Sequence, residues 1–220
     1  MKEKVLIITP CSERKRRGGD PALTWKREKS AVARLSPKSA SRLIESRRIL
    51  RRRFRYPDGK DLGAQRDGPA PLLPASRRYD GNLYRKIDEA LWTNLSASES
   101  VDLLIVSTLY GIVTPGEAIR EYDLPMNRAF VRLRLSLRQW WINRGIRSLL
   151  AEFVRRNGYS VVHDFQSSSD VGVADLNDYD PLYSHGRNVD LRHHTYPGLG
   201  SGADHHRGRD VKSLLEKYLQ

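Results

Sequence analysis

Cys11, Ser12 and Lys15 form the first group in this chain whose residue types and spacing suggest chemistry. They follow a short apolar run (5–8) and Thr9-Pro10, and Arg14, Arg16 and Arg17 crowd around them. Cys11 is the only cysteine. A free thiol loses its proton at about pH 8.5, and nearby cations lower that value. Arg14, Lys15 and the amides of a strand-to-loop turn supply such a field, so a nucleophilic thiolate is one reading. An anion site is a second, with Ser12, Lys15 and the turn amides holding a phosphate. A small buried hydrophobe at a strand end is the third. The residues alone leave all three open.

Two other segments carry residues of the same kind. In "LLIVSTLYGIVTPGEAIREYDLPM" (103–126) a strand runs into Tyr110-Gly111, where glycine permits a tight turn or the close approach of a ligand. Thr114, Pro115 and Glu117 then read as a capping box that opens a short helix, followed by Tyr122-Asp123. In "PASRRYDGNLYRKIDEAL" (74–91) Tyr79 and Tyr84 flank Gly81, with Arg85 beside them. Aromatics interleaved with arginine can stack a base and hold its phosphate. Towards the C-terminus, His193-His194 and His205-His206 bracket a Gly-rich stretch that reads as a loop closing over a phosphodiester. Adjacent imidazoles do not readily face one ion, so neither a metal nor a cofactor is expected. Asp164, Asp170, Asp175, Asp178 and Asp180 are candidate general bases.

The formal charge is +13, from 39 Lys plus Arg against 26 Asp plus Glu. Residues 26–56 hold twelve basic and two acidic side chains, including Arg51, Arg52 and Arg53. Arginine pairs with phosphate through a planar fork, so the balance points to nucleic acid. The basic stretch has few large apolar side chains to insert into a lipid surface. No apolar run nears the ~20 residues of a membrane span, and no signal peptide is evident. One cysteine fits a reducing compartment. These features lead to the expectation of a cytoplasmic protein, taken as a monomer, with no membrane partner.

The elements that must position these groups follow from periodicity. Strands are expected at 5–8, 101–107 and 159–165. Helices are expected in two pieces around Pro37 within 31–53, over 82–95, over 128–156 with a break near Gly145, and over 210–219. Trp140 and Trp141 fall on the apolar face of the third of these and read as core. The stretches 18–30, 56–74 and 166–209 read as loops. Alternation of strand and helix predicts one α/β domain over 1–220, a three-layer α/β/α arrangement with a mainly parallel central sheet. The stretch 16–73 reads as a basic insertion or cap within it. Sites in such sheets form beyond the carboxyl ends of the strands, where Cys11, Tyr110 and Asp164 fall.

"LYGIVTPGEAIREYDLPMN" (109–127) resembles a segment of the YaaA peroxide-stress family, in which a strand leads to a Tyr-Gly pair, a Pro, an Ile and a Tyr shortly before a Met. A related set of uncharacterised bacterial and phage proteins is similar in three segments. They match Cys11, Ser12 and Lys15; Pro74, Ala75, Tyr79, Gly81, Tyr84 and Arg85; and Tyr110, Gly111, Ile112, Val113, Pro115, Tyr122 and Asp123. The Pro-Cys-Ser-x-x-Lys pattern is also similar to the archaeosine synthase domain. These sets resemble the uracil-DNA glycosylase superfamily in fold. The resemblance covers 4–15 and 74–127 and implies a nucleic-acid partner and a site that handles a base.

The expected function is therefore a DNA glycosylase that flips a modified base, of the kind phage DNA carries, into a pocket and hydrolyses its N-glycosidic bond. Asp123, or else Asp164, is the expected catalytic carboxylate. Cys11, Ser12, Tyr84, Tyr110, Gly111 and Tyr122 are the expected pocket residues. Arg14, Lys15, Arg16, Arg17, Arg51, Arg52, Arg53, Arg85, His193 and His194 are the expected nucleic-acid contacts. A non-catalytic YaaA-like DNA-binding protein, and a tRNA base transferase that uses Cys11, are the alternatives.

Overall fold

The computed structural model describes residues 3–126, 129–130, 134–166, 189–199 and 202–220. Strand β1 (Val5–Pro10) is buried along its whole length, as expected of an apolar run with both faces covered. Helix α1 (Pro37–Phe54) starts where Ser36 Oγ accepts from Ser39 N (3.4 Å) and Pro37 fills the first turn, then stops at Arg55 in a left-handed conformation. Next come β2 (Leu72–Pro74), the single-turn α2 (Ala75–Arg78) and α3 (Glu89–Ala97), which is capped by Asp88 through Leu91 N at 3.0 Å. They are followed by β3 (Val101–Ser107), β4 (Gly111–Val113) and β5 (Ala118–Arg120). The chain then forms β6 (Ala129–Phe130), β7 (Leu135–Ser136), α4 (Leu137–Asn143) and α5 (Ile146–Arg156). Strands β8 (Val161–Asp164) and β9 (Asp190–His193) and helix α6 (Ala203–Tyr218) complete the described elements.

The fold is mixed α/β around a five-stranded sheet of order β4-β3-β1-β8-β9. Strand β1 runs parallel to both β3 and β8, with Val5 opposite Val101 on one side and Val161 on the other. Strand β9 is parallel to β8, and only β4 reverses. Pro10, Ser107, Asp164 and His193 therefore leave the sheet on one side. Two small antiparallel pairs, β2-β5 and β6-β7, lie apart from it.

The basic stretch that reads as an insertion or cap contributes Ala31, Val32, Leu35, Leu43, Leu50 and Leu62 to the same buried cluster as β1 and β3. No helix of the described residues is long and apolar enough to cross a membrane.

Four expectations about elements change. Residues 114–117 form a turn into β5, not a helix start. Glu117 is fully buried, where Trp25 Nε1 (3.0 Å), Ala31 N (3.1 Å) and Arg47 Nη1 (2.6 Å) all donate to its carboxylate. That ionic pairing outweighs the local capping signal. The described part of 128–156 opens with the β6-β7 pair before α4 and α5, which part at Gly145 (φ 74°). Trp141 is core, and its Nε1 donates to Thr108 O (2.8 Å). In 82–95 the chain makes a short 3₁₀ turn at Tyr84–Lys86 and becomes α-helical only at Glu89. Helix α6 begins at Ala203, ahead of the expected 210, and packs so close to Leu83 that a Cβ on Gly208 would lie 2.9 Å from Leu83 Cα.

Candidate functional site

The turn after β1 is pinned by backbone bonds. Cys11 N donates to Val106 O (2.8 Å), Asp80 N to Arg14 O (3.0 Å) and Arg16 N to Arg78 O (2.8 Å). "CSERKR" is thus laid against "RRYDG". Gly81 leaves room for Ser12 in that approach: a Cβ there would sit 2.2 Å from Ser12 Oγ and 3.1 Å from its Cβ. Arg78 is fully buried, and its guanidinium donates to the backbone carbonyls of Arg16, Pro71 (3.2 Å) and Ile119 (3.4 Å). It braces the turn from behind. Arg14, Arg16 and Arg17 project outward, with Arg14 3.2 Å from Asp80.

Behind the turn the hydroxyls of Tyr79, Tyr122 and Ser107 form a triangle, at 2.9 Å between the two tyrosines and 3.1 and 3.0 Å to Ser107. A ring of three hydroxyls can satisfy itself, each donating once and accepting once. Ser107 Oγ also accepts from Tyr110 N (3.2 Å). Tyr84 OH donates to Pro10 O (2.7 Å) and lies 3.2 Å from Thr9 Oγ1. Burial raises the Tyr79, Tyr84 and Tyr122 hydroxyls well above the ordinary phenol value, so they remain protonated. These tyrosines lock the exits of β1 and β3 together.

The groups left to meet a ligand are Cys11, Lys15 and Asp123. Cys11 and Lys15 are half-buried and Asp123 is exposed. The Lys15 ammonium sits 4.1 Å above the centre of the Tyr122 ring, a cation–π contact. Burial draws its pKa down, against the opposing pull of Cys11, Asp123, Glu13 and Glu121. The Lys15 ammonium thus feels the charge of the Cys11 thiol and the Asp123 carboxylate beyond the ends of parallel strands. They can bind an anion or polarise a heteroatom of a base.

The other expected site residues lie elsewhere. Tyr110 is fully buried and points away from the turn: its hydroxyl donates to Asp61 Oδ2 (2.6 Å) and accepts from Arg120 N (3.0 Å). Gly111 packs against Trp141 and Leu43. Arg85 pairs with Asp80 at 3.0 Å near the turn. Arg51 is buried and pairs with Asp58, while Arg52 and Arg53 are exposed on the last turn of α1. Asp164 is buried with both oxygens engaged, Oδ1 by Gln166 N (3.0 Å) and Nε2 (3.3 Å), Oδ2 by His193 Nδ1 at 3.2 Å. Asp170, Asp175, Asp178 and Asp180 lie outside the described residues.

His194 stacks on Phe165 (4.1 Å), and its Nε2 lies 2.9 Å from His163 Nδ1. Burial, then His194 and Arg192, hold His163 down to about 4 from its ordinary 6.5. The native state refuses a proton that the unfolded chain accepts. The His163 contribution to stability is therefore full above pH 6.5 and falls as the pH drops from 6.5 towards 4. The expected loss is about 2–3 kcal/mol. Urea titrations at about pH 7 and about pH 4.5 measure it, and His163→Gln should remove most of the difference. An unchanged pH dependence in that variant would refute the assignment to His163.

Sequence reasoning missed Ser107 and Arg78. Ser107 ends a strand with no motif of its own, and Arg78 is one of many arginines in a strongly basic sequence. The only available signal was their adjacency to Tyr110 and Tyr79.

The sequence matches the family of peroxide stress protein YaaA over residues 21–184. The chain belongs to that family. No curated protein matches it. The YaaA match takes in Tyr79, Tyr110, Tyr122, Asp123 and the buried ion pairs around β4 and β5. It starts beyond the Cys11–Lys15 turn, so the residues that bring a thiol and an ammonium to the site lie outside the matched stretch.

Proposed function

We propose that this YaaA family protein binds DNA and seats a nucleotide beyond the carboxyl ends of β1 and β3. The observation that carries the reading is the pinned basic turn, which presents Arg14, Arg16 and Arg17 beside the Lys15–Tyr122 contact. A backbone held in place before binding leaves less to order when its cations meet phosphate. The uracil-DNA-glycosylase-like, three-layer architecture belongs to the same proposal. Fluorescence anisotropy with single-stranded DNA, duplex DNA and tRNA tests it. The expected result is DNA binding that weakens steeply with salt. Absence of DNA binding even at about 50 mM salt overturns the proposal, and tRNA bound in preference redirects it to the transferase reading.

One observation favours a second, catalytic reading. Asp123 is exposed beside Lys15, whereas both oxygens of Asp164 are occupied. In a glycosylase, Asp123 would stabilise the oxocarbenium-like sugar and take a proton from the attacking water. The water oxygen bonds to C1′, the C1′–N bond breaks, and the base leaves with a proton. Abasic-site counting on DNA carrying modified bases is the measure. Asp123→Asn should abolish base release and keep binding, and release that survives this substitution excludes Asp123.

A further inference from the structure

A recess of about 530 Å³ opens at the carboxyl-terminal end of α1, lined by Arg48, Arg51, Arg52, Asp58, Arg66 and the 63–65 turn. Four arginines line it, against one aspartate. Arg51 is 8% exposed and pairs with Asp58. Arg48 pairs with Glu45 and donates to Gly63 O (3.1 Å). Those two acids leave two guanidinium charges uncompensated. Arg52 and Arg66 are the exposed pair, and neither has an ion-pair partner among the described residues.

The dipole at the end of α1 accounts for some of this charge, since cations favour a helix C-terminus. It does not account for Arg66, which comes from a separate loop. The base of that loop is held in place by the buried Asp61–Arg120 pair: Arg120 Nη2 and Nε donate to Asp61 at 2.6 and 2.8 Å, and Arg120 Nη1 donates to Pro57 O at 2.6 Å. That pair fixes the base of the loop that sets Arg66 opposite Arg52 across the recess.

We infer that this recess binds successive phosphates of a nucleic-acid strand, with Arg52 and Arg66 as the contacting cations and Arg51 behind them. The recess is tied to the site above through β5: Arg120, its last residue, donates to Pro57 O and to Asp61, and Tyr122, two residues on, carries the Lys15 ammonium on its ring. A strand with one nucleotide at Lys15 would carry its neighbouring phosphates into the recess. The inference rests on the DNA-binding reading, and the test separates the two.

The test compares Arg52→Gln/Arg66→Gln with a control pair on another exposed helix end, Arg155→Gln/Arg156→Gln. Binding of a single-stranded oligonucleotide and of tripolyphosphate is measured across a salt series. Two phosphate contacts on a single strand carry a salt slope of about 1.4, so the first pair should lose roughly twenty-fold in affinity near 0.1 M salt and that much slope. The control should lose neither. Strand binding that both pairs weaken equally, or that neither weakens, overturns the recess while leaving the DNA-binding reading intact. Tripolyphosphate binding that is lost in Arg52→Gln/Arg66→Gln, with no strand binding by the unaltered protein, overturns both the strand assignment and the function proposed above.

Discussion

Replacing Arg47 with methionine should lower the free energy of unfolding by about 3–5 kcal/mol, and chemical denaturation at neutral pH checks it. The side chain is fully buried and every bond it makes is to a group of the fold. Nε donates to Tyr110 O (2.9 Å), Nη2 to Ile112 O (2.8 Å), and Nη1 to Glu117 Oε1 (2.6 Å) and Asp61 O (3.3 Å). Methionine keeps much of the volume but leaves the Glu117 carboxylate charged and out of water, with only Trp25 and Ala31 as donors. A buried charge that loses its partner costs far more than the pair contributed net. Arg47→Met/Glu117→Gln should therefore be more stable than Arg47→Met alone, because the second change removes the stranded charge. A single variant that loses less than about 1 kcal/mol would show that water reaches Glu117.

The second large effect is at Gly111. Gly111→Ala should cost about 2–4 kcal/mol. The residue has φ 76°, which L-residues other than glycine adopt at a penalty. An added Cβ would also lie 2.7 and 2.8 Å from Trp141 Cη2 and Cζ3, and 2.9 Å from Leu43 Cδ1. Neither the indole nor the leucine can retreat, since both are fully buried and Trp141 is tied to Thr108 O. Gly116→Ala is the matched control: nothing lies within 4 Å of its Cβ position, so the change should fall within about 0.5 kcal/mol. Equal melting temperatures for the two variants would refute the packing argument. Because Tyr110 precedes Gly111 and its amide bonds Ser107, the same change should loosen the hydroxyl triangle behind the basic turn.

How far the sequence alone carried the reading is clearest by residue. The apolar runs around Val5–Pro10 and Val101–Ser107 were legible because a strand buried on both faces must be apolar throughout. Pro37 with Ser36, and the break at Gly145, were legible because capping and backbone freedom are local properties. The pairing of the Cys11–Lys15 turn with Tyr79 and Tyr122 was legible only as a coincidence of motifs. Glu117 was misread because its local neighbours spell a helix cap, whereas its partners Arg47, Trp25 and Ala31 are seventy or more residues away.

The sequence by itself determined the α/β class, the basic balance and the strand exits where the candidate site lies, because hydrophobic period, charge and capping are properties of neighbouring residues. Only the tertiary structure decided which of the charged and aromatic side chains are spent inside the protein. Arg47, Arg78, Arg120, Tyr79, Tyr84, Tyr110 and Asp164 are buried and committed to partners within the fold, whereas Lys15, Asp123, Arg52 and Arg66 remain open to a ligand. The physical reason is that burial and pairing depend on residues distant in sequence, and a guanidinium or phenol looks the same in sequence whether it faces a carbonyl or water.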